Sequence, residues 1–231
     1  MGEQVSLDEV VQAGRADGDT SDGGDTGAGG DTGAGRASDG RVPGRRGRAT
    51  RQRLLDQTAA MLRERSYRDV TVIEIARAAG TSPATFYQYF ADVEAAVLVL
   101  ADGLVADAEA LAKTVGEAWA GRSDYDAALD VVDAFVAFWD RHRPVLRVVE
   151  LAAAEGDHRF RRARARVLDG VAAELAAVTR SEQGVDAATG AGVLVTMLAN
   201  LAAQGDDPDV RTALARHVYW GVTGEMPPVP A

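Results

Sequence analysis

Residues 80–90 read Gly-Thr-Ser-Pro-Ala-Thr-Phe-Tyr-Gln-Tyr-Phe and follow the segment Thr-Val-Ile-Glu-Ile-Ala-Arg-Ala-Ala. Thr71 and Glu74 in that segment have capping-box spacing, which predicts a short helix that Gly80 ends. Ser82, followed by proline, predicts the start of a second short helix, because proline is tolerated at the first helical position. Two short helices joined by a tight turn are typical of a helix-turn-helix, whose second helix enters the DNA major groove.

The bulk composition excludes several other kinds of site. The chain has 231 residues, a net charge of -10 and no cysteine, so disulfides, zinc–thiolate sites and cysteine nucleophiles are excluded. His142, His158 and His217 lack the short spacing of a metal pair, so neither a metal nor another cofactor is predicted. No apolar run reaches the roughly 18 residues that span a bilayer, and the acidic N-terminus is unlike a signal peptide. We therefore expect a cytoplasmic protein with no membrane partner.

The charge is unevenly distributed. Residues 1–40 contain nine acids and two arginines, whereas residues 41–55 contain six arginines and no acid. The hexapeptide Gly-Asp-Thr-Gly-Ala-Gly occurs twice in the acidic part, which buries too little apolar surface to fold. Residues 1–45 are therefore predicted to be a disordered tail. The basic segment lies just ahead of the predicted helix-turn-helix, where DNA phosphates would be met.

From Ala49 onward the apolar residues recur at helical spacing, which predicts an all-α protein of nine helices. Asp92 is expected to cap a long fourth helix that continues past Leu111. Pro144 is expected to separate a fifth helix, beginning at residues 123–124, from a short sixth, because proline disfavours the helical region for the residue before it. Four other predicted helices span about residues 49–65, 72–79, 158–180 and 186–203. Two more are predicted to begin at about residues 82 and 207.

Residues 49–94 resemble the N-terminal DNA-binding domain of TetR-type transcriptional regulators. The matching signature is Thr71…Ile75-Ala76…Ala79-Gly80-Thr81-Ser82…Thr85-Phe86-Tyr87-Gln88-Tyr89-Phe90…Glu94. The resemblance implies a homodimer in which helices one to three bind a double-stranded operator, helices four to seven hold a small-molecule effector and the last two helices pair. In such proteins a ligand releases the operator, and most are repressors, while some are activators. The implied domains are 46–92 for DNA binding, 93–224 for effector binding and dimerisation, and a proline-rich tail at 225–231.

The second helix of the motif carries the candidate base-reading residues. Thr85 and Gln88 can hydrogen-bond to base edges, and Gln88 has the paired donor and acceptor that suit adenine. Ala84 and the methyl group of Thr85 can touch a thymine methyl. Phe86 and Phe90 are interpreted as core residues that fix this helix.

A second group of residues is expected to contact the DNA backbone. The resemblance implies that Tyr87 and Tyr89 contact phosphates or sugars, although packing beneath helix one is the alternative. Thr71 and Ser82 cap helices and can also present backbone N–H groups to phosphates. Four arginines are interpreted as an arm for the backbone or minor groove, with a solvated basic run as the alternative: Arg45, Arg46, Arg48 and Arg51.

The resemblance breaks at Val93, where the family usually has a lysine at the start of helix four. That change removes one expected phosphate contact, for which the arginines can compensate. With the acidic total charge, it also supports the alternative of an all-helical ligand-binding module with weak or no DNA binding. An enzyme is not predicted, because no Ser/His/Asp, metal or nucleotide signature with usable spacing is present.

Two further sets of candidates lie in the C-terminal helices. An apolar effector pocket would be lined by members of an aromatic set with one arginine, although plain core is the alternative: Trp119, Tyr125, Phe135, Phe138, Trp139 and Arg143. An intersubunit helix bundle would use apolar residues of the last two helices, although half of them can instead pack within the subunit: Leu194, Met197, Leu198, Leu201, Leu214 and Val218.

Overall fold

The computed structural model describes residues 44–121, 124–180, 186–203 and 207–227, and these residues form helices and no strands. The all-α prediction is confirmed. The predicted tail at 1–45 lies outside the described residues, except for its last two. Within the described ranges the helices are α1 (Arg45–Glu64), a 3-10 turn (Tyr67–Asp69), α2 (Val72–Ala78), α3 (Pro83–Tyr87), α4 (Val93–Asp102), α5 (Val105–Ala118), α6 (Tyr125–Ala154), α7 (His158–Val178), α8 (Ala187–Ala202) and α9 (Pro208–Thr223).

The helix-turn-helix forms where the local signals predict it. The Thr71 hydroxyl accepts a hydrogen bond from the Glu74 amide at 3.3 Å, and the Glu74 carboxylate accepts one from the Thr71 amide at 3.2 Å. Gly80 then ends α2 with a φ of 67°, a left-handed conformation that suits glycine. Ser82 caps α3 by accepting from the Thr85 amide at 3.2 Å. The predicted capping box and both helix starts are confirmed.

Two helix boundaries differ from the prediction. The first helix begins at Arg45, four residues before the predicted start, so the candidate arginine arm is itself helical. The predicted long fourth helix is two helices, because the chain turns at Gly103 and Leu104 between α4 and α5. Glycine is a poor helix former, and Leu104 is buried at this turn, so local propensity and packing both favour the break.

The predicted helix boundary at Pro144 is wrong, because α6 runs unbroken through it for 30 residues. A proline inside a helix costs about 3 kcal/mol through its missing N–H and its ring clash. Buried side chains lie on both sides of Pro144, among them Phe135, Trp139, Val145 and Val149. Since both halves bury one apolar surface in the same core, the packing outweighs the cost of the proline.

The C-terminal helices pack closely around α7, and glycine permits the approach of α5. A Cβ atom added to Gly170 of α7 would lie 3.2 Å from the Cβ of Ala112 in α5. The DNA-binding helices are joined to this body by an ion pair between Arg68 and Glu155. Arg147 of α6 also donates to the backbone carbonyl of Arg65 at 3.4 Å.

Candidate DNA interface

The outer face of α3 carries most of the predicted base-reading residues. Ala84 and Gln88 are exposed, and Thr85 is half-buried beside them. The Tyr87 side chain is 54% exposed, which leaves its ring and hydroxyl open to a partner. The Ser82 and Thr85 hydroxyls lie 3.0 Å apart and share a hydrogen bond. These residues form one small polar surface.

Phe86 and Phe90 hold that surface in place from below. Phe86 is completely buried and Phe90 is 3% exposed, and their ring centroids lie 5.4 Å apart. The prediction that both are core residues is confirmed. Tyr89 is half-buried and packs against the same core, so it is less open than Tyr87. The guanidinium of Arg51 lies over the Phe90 ring at 5.3 Å, which ties α1 to the end of the motif.

The first turns of α1 form an exposed basic surface. Arg45, Arg46 and Arg48 are exposed, and within the part of the chain that the structure describes none of them has an acidic partner. Arg53 donates to the Thr50 hydroxyl at 3.2 Å. Uncompensated guanidinium groups on a rigid helix favour binding to phosphate oxygens. Arg51 differs from them, because it contacts an aromatic ring.

Thr71 and Glu74 form a polar cluster at the start of α2. The Thr71 hydroxyl donates to the Glu74 carboxylate at 2.6 Å, and Arg65 pairs with the same carboxylate at 2.9 Å. The hydrogen bond from Arg65 and then the one from Thr71 lower the pKa of Glu74 to about 2. Capping therefore accounts for Thr71, while its contact with a DNA phosphate stays a prediction.

Val93, at the position of the usual lysine, faces the protein core. It is 9% exposed and occupies the first position of α4. Asp92 caps this helix by accepting from the Ala95 amide at 2.6 Å, as the sequence predicted. A buried valine here packs α4 onto the DNA-binding helices, so the anchoring role of this position is apolar.

The structure places the aromatic effector candidates mainly in the core. Trp119, Phe135, Phe138 and Trp139 are each at most 6% exposed, and the Phe135 and Trp139 rings stack 5.9 Å apart. Among the residues that the structure describes, the buried indole N–H of Trp119 has no hydrogen-bond partner. Their role in ligand contact stays a prediction.

The two other effector candidates reach the C-terminal helices. The Tyr125 hydroxyl donates to the Thr212 carbonyl at 3.4 Å. Arg143 pairs with Asp140 and donates to the Ala203 carbonyl at 3.1 Å, at the end of α8. Arg143 therefore caps the C-terminal end of α8 in this structure.

A groove that the sequence did not indicate lies between α5 and α7 and has a volume of about 660 Å³. Arg143 does not line it. Its floor is apolar and its rim carries charges of both signs, including Lys113, Arg166 and Glu174. The floor residues are Val105, Ala108, Ala112 and Val167. The small residues of α5 are the sequence feature that could have indicated this groove, because they leave room between two packed helices.

The candidate dimer residues differ in how deeply they are buried. Leu198, Leu214 and Val218 are each at most 2% exposed within the subunit, whereas Met197 and Leu201 are half-buried. The sixth candidate, Leu194, is 7% exposed and lines an apolar groove of about 320 Å³ between α8 and α9.

The most outward apolar residues of α8 and α9 were not among the sequence candidates. Val193 is 64% exposed and Trp220 is 48% exposed, and both line the groove between the two helices. A tryptophan lying off the inward stripe of α9 was the available signal for this surface.

Two features are absent from the described ranges. These ranges contain no group of three or more His, Asp or Glu side chains that could hold a metal ion. They also contain no helix that is long and apolar enough to cross a membrane.

Similar folds occur in three solved regulator structures. The fatty acid degradation regulator FadR from Bacillus halodurans is 17% identical with a TM-score of 0.55, covering 79% of this chain and 97% of that one. Thermus thermophilus FadR, a TetR family repressor solved with lauroyl-CoA, is 22% identical with a TM-score of 0.52, covering 78% and 99%. A TetR-family regulator from Mesorhizobium loti is 21% identical with a TM-score of 0.54, covering 78% and 96%. At these identities the likeness shows the fold. A search of the curated proteins found no match.

Two family models match the chain directly. The model for bacterial regulatory proteins of the tetR family matches residues 54–96, which contain the helix-turn-helix. The model for the tetracycline repressor-like C-terminal domain matches residues 111–229, more than half of the chain. Together the two matches cover both the DNA-binding helices and the C-terminal helices described above. The chain therefore belongs to the TetR family of transcriptional regulators, with an N-terminal DNA-binding helix-turn-helix domain.

Proposed function

We propose that this protein is a homodimeric repressor that binds a palindromic operator and is released by a small hydrophobic effector. The observation that carries the proposal is the outer face of α3 and its C-cap, where Ala84, Tyr87 and the C-cap residue Gln88 are exposed above the buried Phe86. A rigid helix with an exposed amide and hydroxyls suits direct reading of base edges. Thr85 adds a hydroxyl and a methyl group to the same face.

The basic turns of α1 support this assignment. Arg45, Arg46 and Arg48 would contact phosphates of the operator and fix the orientation of α3 in the major groove. The net charge of -10 disfavours non-specific attraction to DNA, so the local arginines carry the attraction. In this proposal Tyr87 contributes a hydroxyl to the sugar–phosphate backbone.

The α5–α7 groove is the proposed effector site. Its volume lies within the range of small-molecule sites, and its apolar floor suits a ligand with a hydrophobic part. Arg166 on its rim also pairs with Asp102 at the end of α4, the helix that adjoins the DNA-binding domain. A ligand that displaces this pair would move α4 and with it the recognition helix.

The surface around Val193 and Trp220 is the proposed dimer interface. A self-complementary patch on α8 and α9 would form a four-helix bundle across a two-fold axis. The buried Leu198 and Val218 would then support the helices from within each subunit.

Selection of bound DNA from a random pool tests the function. We expect an inverted repeat whose half-site centres are roughly 34–36 Å apart, or a multiple of that distance. Gln88→Ala is expected to relax the preference at one base pair of each half-site, at a cost of about 1–3 kcal/mol. Thr114→Ala, on the exposed surface of α5, is the matched control and should leave the selected site unchanged. Absence of any enriched site with a folded dimer would favour the ligand-binding module without DNA activity.

A further inference from the structure

A cleft of about 390 Å³ lies between the C-terminal end of α1 and the second half of α6. It is separate from the α5–α7 groove and shares no residue with it. Three arginines line it, namely Arg63, Arg65 and Arg147, against the single carboxylate of Glu64. The cleft therefore presents an excess of positive charge at the junction between the DNA-binding helices and the C-terminal helices.

The three guanidinium groups are not equally available. Arg65 is neutralised by Glu74 at 2.9 Å. Arg63 and Arg147 have no carboxylate partner within the described residues, and Arg147 is held only by its bond to the Arg65 carbonyl. Arg63 and Arg147 both line this cleft, so a dianion bound in it would be attracted by both cations. Guanidinium groups bind phosphoryl oxygens with two parallel hydrogen bonds, which favours phosphate as the shared group.

Apolar surface completes the cleft. Val148 is buried at its base, whereas Leu151 is 40% exposed and is among the most exposed large apolar residues in the described part of the chain. The half-buried Tyr67 forms another part of the wall. The volume is near the lower end of the range for small-molecule sites. A compact aromatic or short aliphatic group would cover Leu151 while its phosphate meets the arginines.

We propose that this cleft binds a small organic monophosphate, with its phosphoryl oxygens on Arg63 and Arg147 and its apolar part against Leu151 and Val148. The bound molecule would bridge α1 to α6 and hold the DNA-binding helices against the C-terminal body. This second site is independent of the proposed operator and of the effector groove, and its occupancy is measurable without DNA.

Calorimetric titration of the full-length protein with phenyl phosphate at fixed ionic strength tests the proposal. We expect saturable binding of one molecule per chain. Arg63→Gln and Arg147→Gln are each expected to weaken binding roughly tenfold, since each removes one charge-assisted contact. Inorganic phosphate should bind more weakly than phenyl phosphate, and phenol should show no saturable binding, because neither probe fills both halves of the cleft.

A matched control removes an exposed arginine elsewhere. Arg162→Gln on α7 should leave the affinity for phenyl phosphate unchanged. Arg63 and Arg147 are both exposed, so both variants are expected to fold, and thermal unfolding without ligand checks each of them. The proposal is overturned if wild type shows no saturable binding, if Arg147→Gln binds as wild type does, or if the control loses as much affinity.

Discussion

The guanidinium carbon of Arg51 lies 5.3 Å from the centroid of the Phe90 ring. Phe90 is the last residue of the family signature and is almost fully buried, so this contact fixes the second turn of α1 against the base of the recognition helix. Arg51 therefore ties α1 to the core of the DNA-binding helices, while its contact with the DNA backbone stays a prediction.

Replacing Arg51 by alanine should lower the free energy of unfolding by about 0.5–1 kcal/mol, the usual contribution of an exposed cation–aromatic contact. Arg53→Ala is the matched control, because among the described residues that guanidinium bonds only to the Thr50 hydroxyl on the same helix. Its effect is expected to stay within about 0.5 kcal/mol. Urea denaturation of both variants makes the comparison, and equal losses would show that the ring contact contributes nothing.

Replacing Arg45, Arg46 and Arg48 together by alanine should flatten the salt dependence of operator binding. Each lost phosphate contact reduces the slope of log K against log salt concentration by about 0.9, so up to about 2.7 is expected. Fluorescence titrations between low and moderate salt measure the slope. Arg162→Ala serves as the control for removal of an exposed arginine outside the DNA-binding helices. A slope equal to that of wild type would mean that these arginines are solvated and do not contact DNA phosphates.

Trp220→Ala should weaken dimerisation, because a half-exposed tryptophan on an apolar groove is the kind of residue that dominates an interface. A loss of about 2 kcal/mol is expected, which raises the dimer dissociation constant roughly thirtyfold. Ile73→Ala removes an apolar side chain on α2 that is 58% exposed, and it should leave the dimer dissociation constant unchanged. Sedimentation equilibrium distinguishes the two variants. If Trp220→Ala left the dimer dissociation constant unaltered, the dimer interface would not lie on α8 and α9.

The parts of the fold that the sequence predicts are those that depend on neighbours along the chain. Thr71, Ser82 and Asp92 cap helices through bonds to residues three positions away, so their spacing alone identifies them. The continuity of α6 through Pro144 depends on packing against other helices, which the local signals do not contain. A local rule therefore predicts a helix end there, and the tertiary contacts override it.

The candidate site residues also divide into those that the local sequence predicts and those that depend on tertiary packing. Phe86 and Tyr87 are adjacent on a short helix, and their opposite exposure follows from helical periodicity. Trp220 lies off the inward stripe of α9 that contains Val218, but only the structure shows that it lines a groove together with residues of α8. Arg63 and Arg147 are far apart in sequence, and they line one cleft because α1 packs on α6. Sequence periodicity has no information on such pairs.

Two helical glycines offer a paired test of packing. A Cβ atom at Gly221 would meet the Leu194 methyl carbons at 2.9 and 3.0 Å, and Leu194 is buried. Gly221→Ala should therefore be destabilising by about 1–2 kcal/mol, since overpacking exceeds the gain of up to about 1 kcal/mol in helix propensity.

At Gly116 the same added atom would meet the end of the Glu174 side chain at 2.5 Å. That carboxylate can rotate toward solvent, so Gly116→Ala should raise the free energy of unfolding by up to about 1 kcal/mol. Denaturation of the two variants side by side checks the pair. Opposite signs are expected, and destabilisation by both would mean that Glu174 is held in place.

The acid limb of the stability curve should report the Glu74 carboxylate. Its pKa in the folded protein is about 2, below the ordinary value of 4.5, because of hydrogen bonds from Arg65 first and Thr71 second. Between these two values the unfolded chain binds more protons than the folded one at this group, so stability falls as the pH falls. Above about pH 4.5 the contribution of Glu74 is fully present, and near pH 2 it is lost.

Glu74→Gln should therefore be less stable than wild type at neutral pH by an amount that stays constant down to about pH 4.5 and then shrinks. Chemical denaturation at a series of pH values measures this difference directly. Glu109→Gln, an exposed position on α5 with no ion pair in the described part of the chain, controls for removal of a surface carboxylate. If the difference between Glu74→Gln and wild type were the same at pH 2.5 as at pH 7, the bonds from Arg65 and Thr71 would not be coupled to the charge of Glu74.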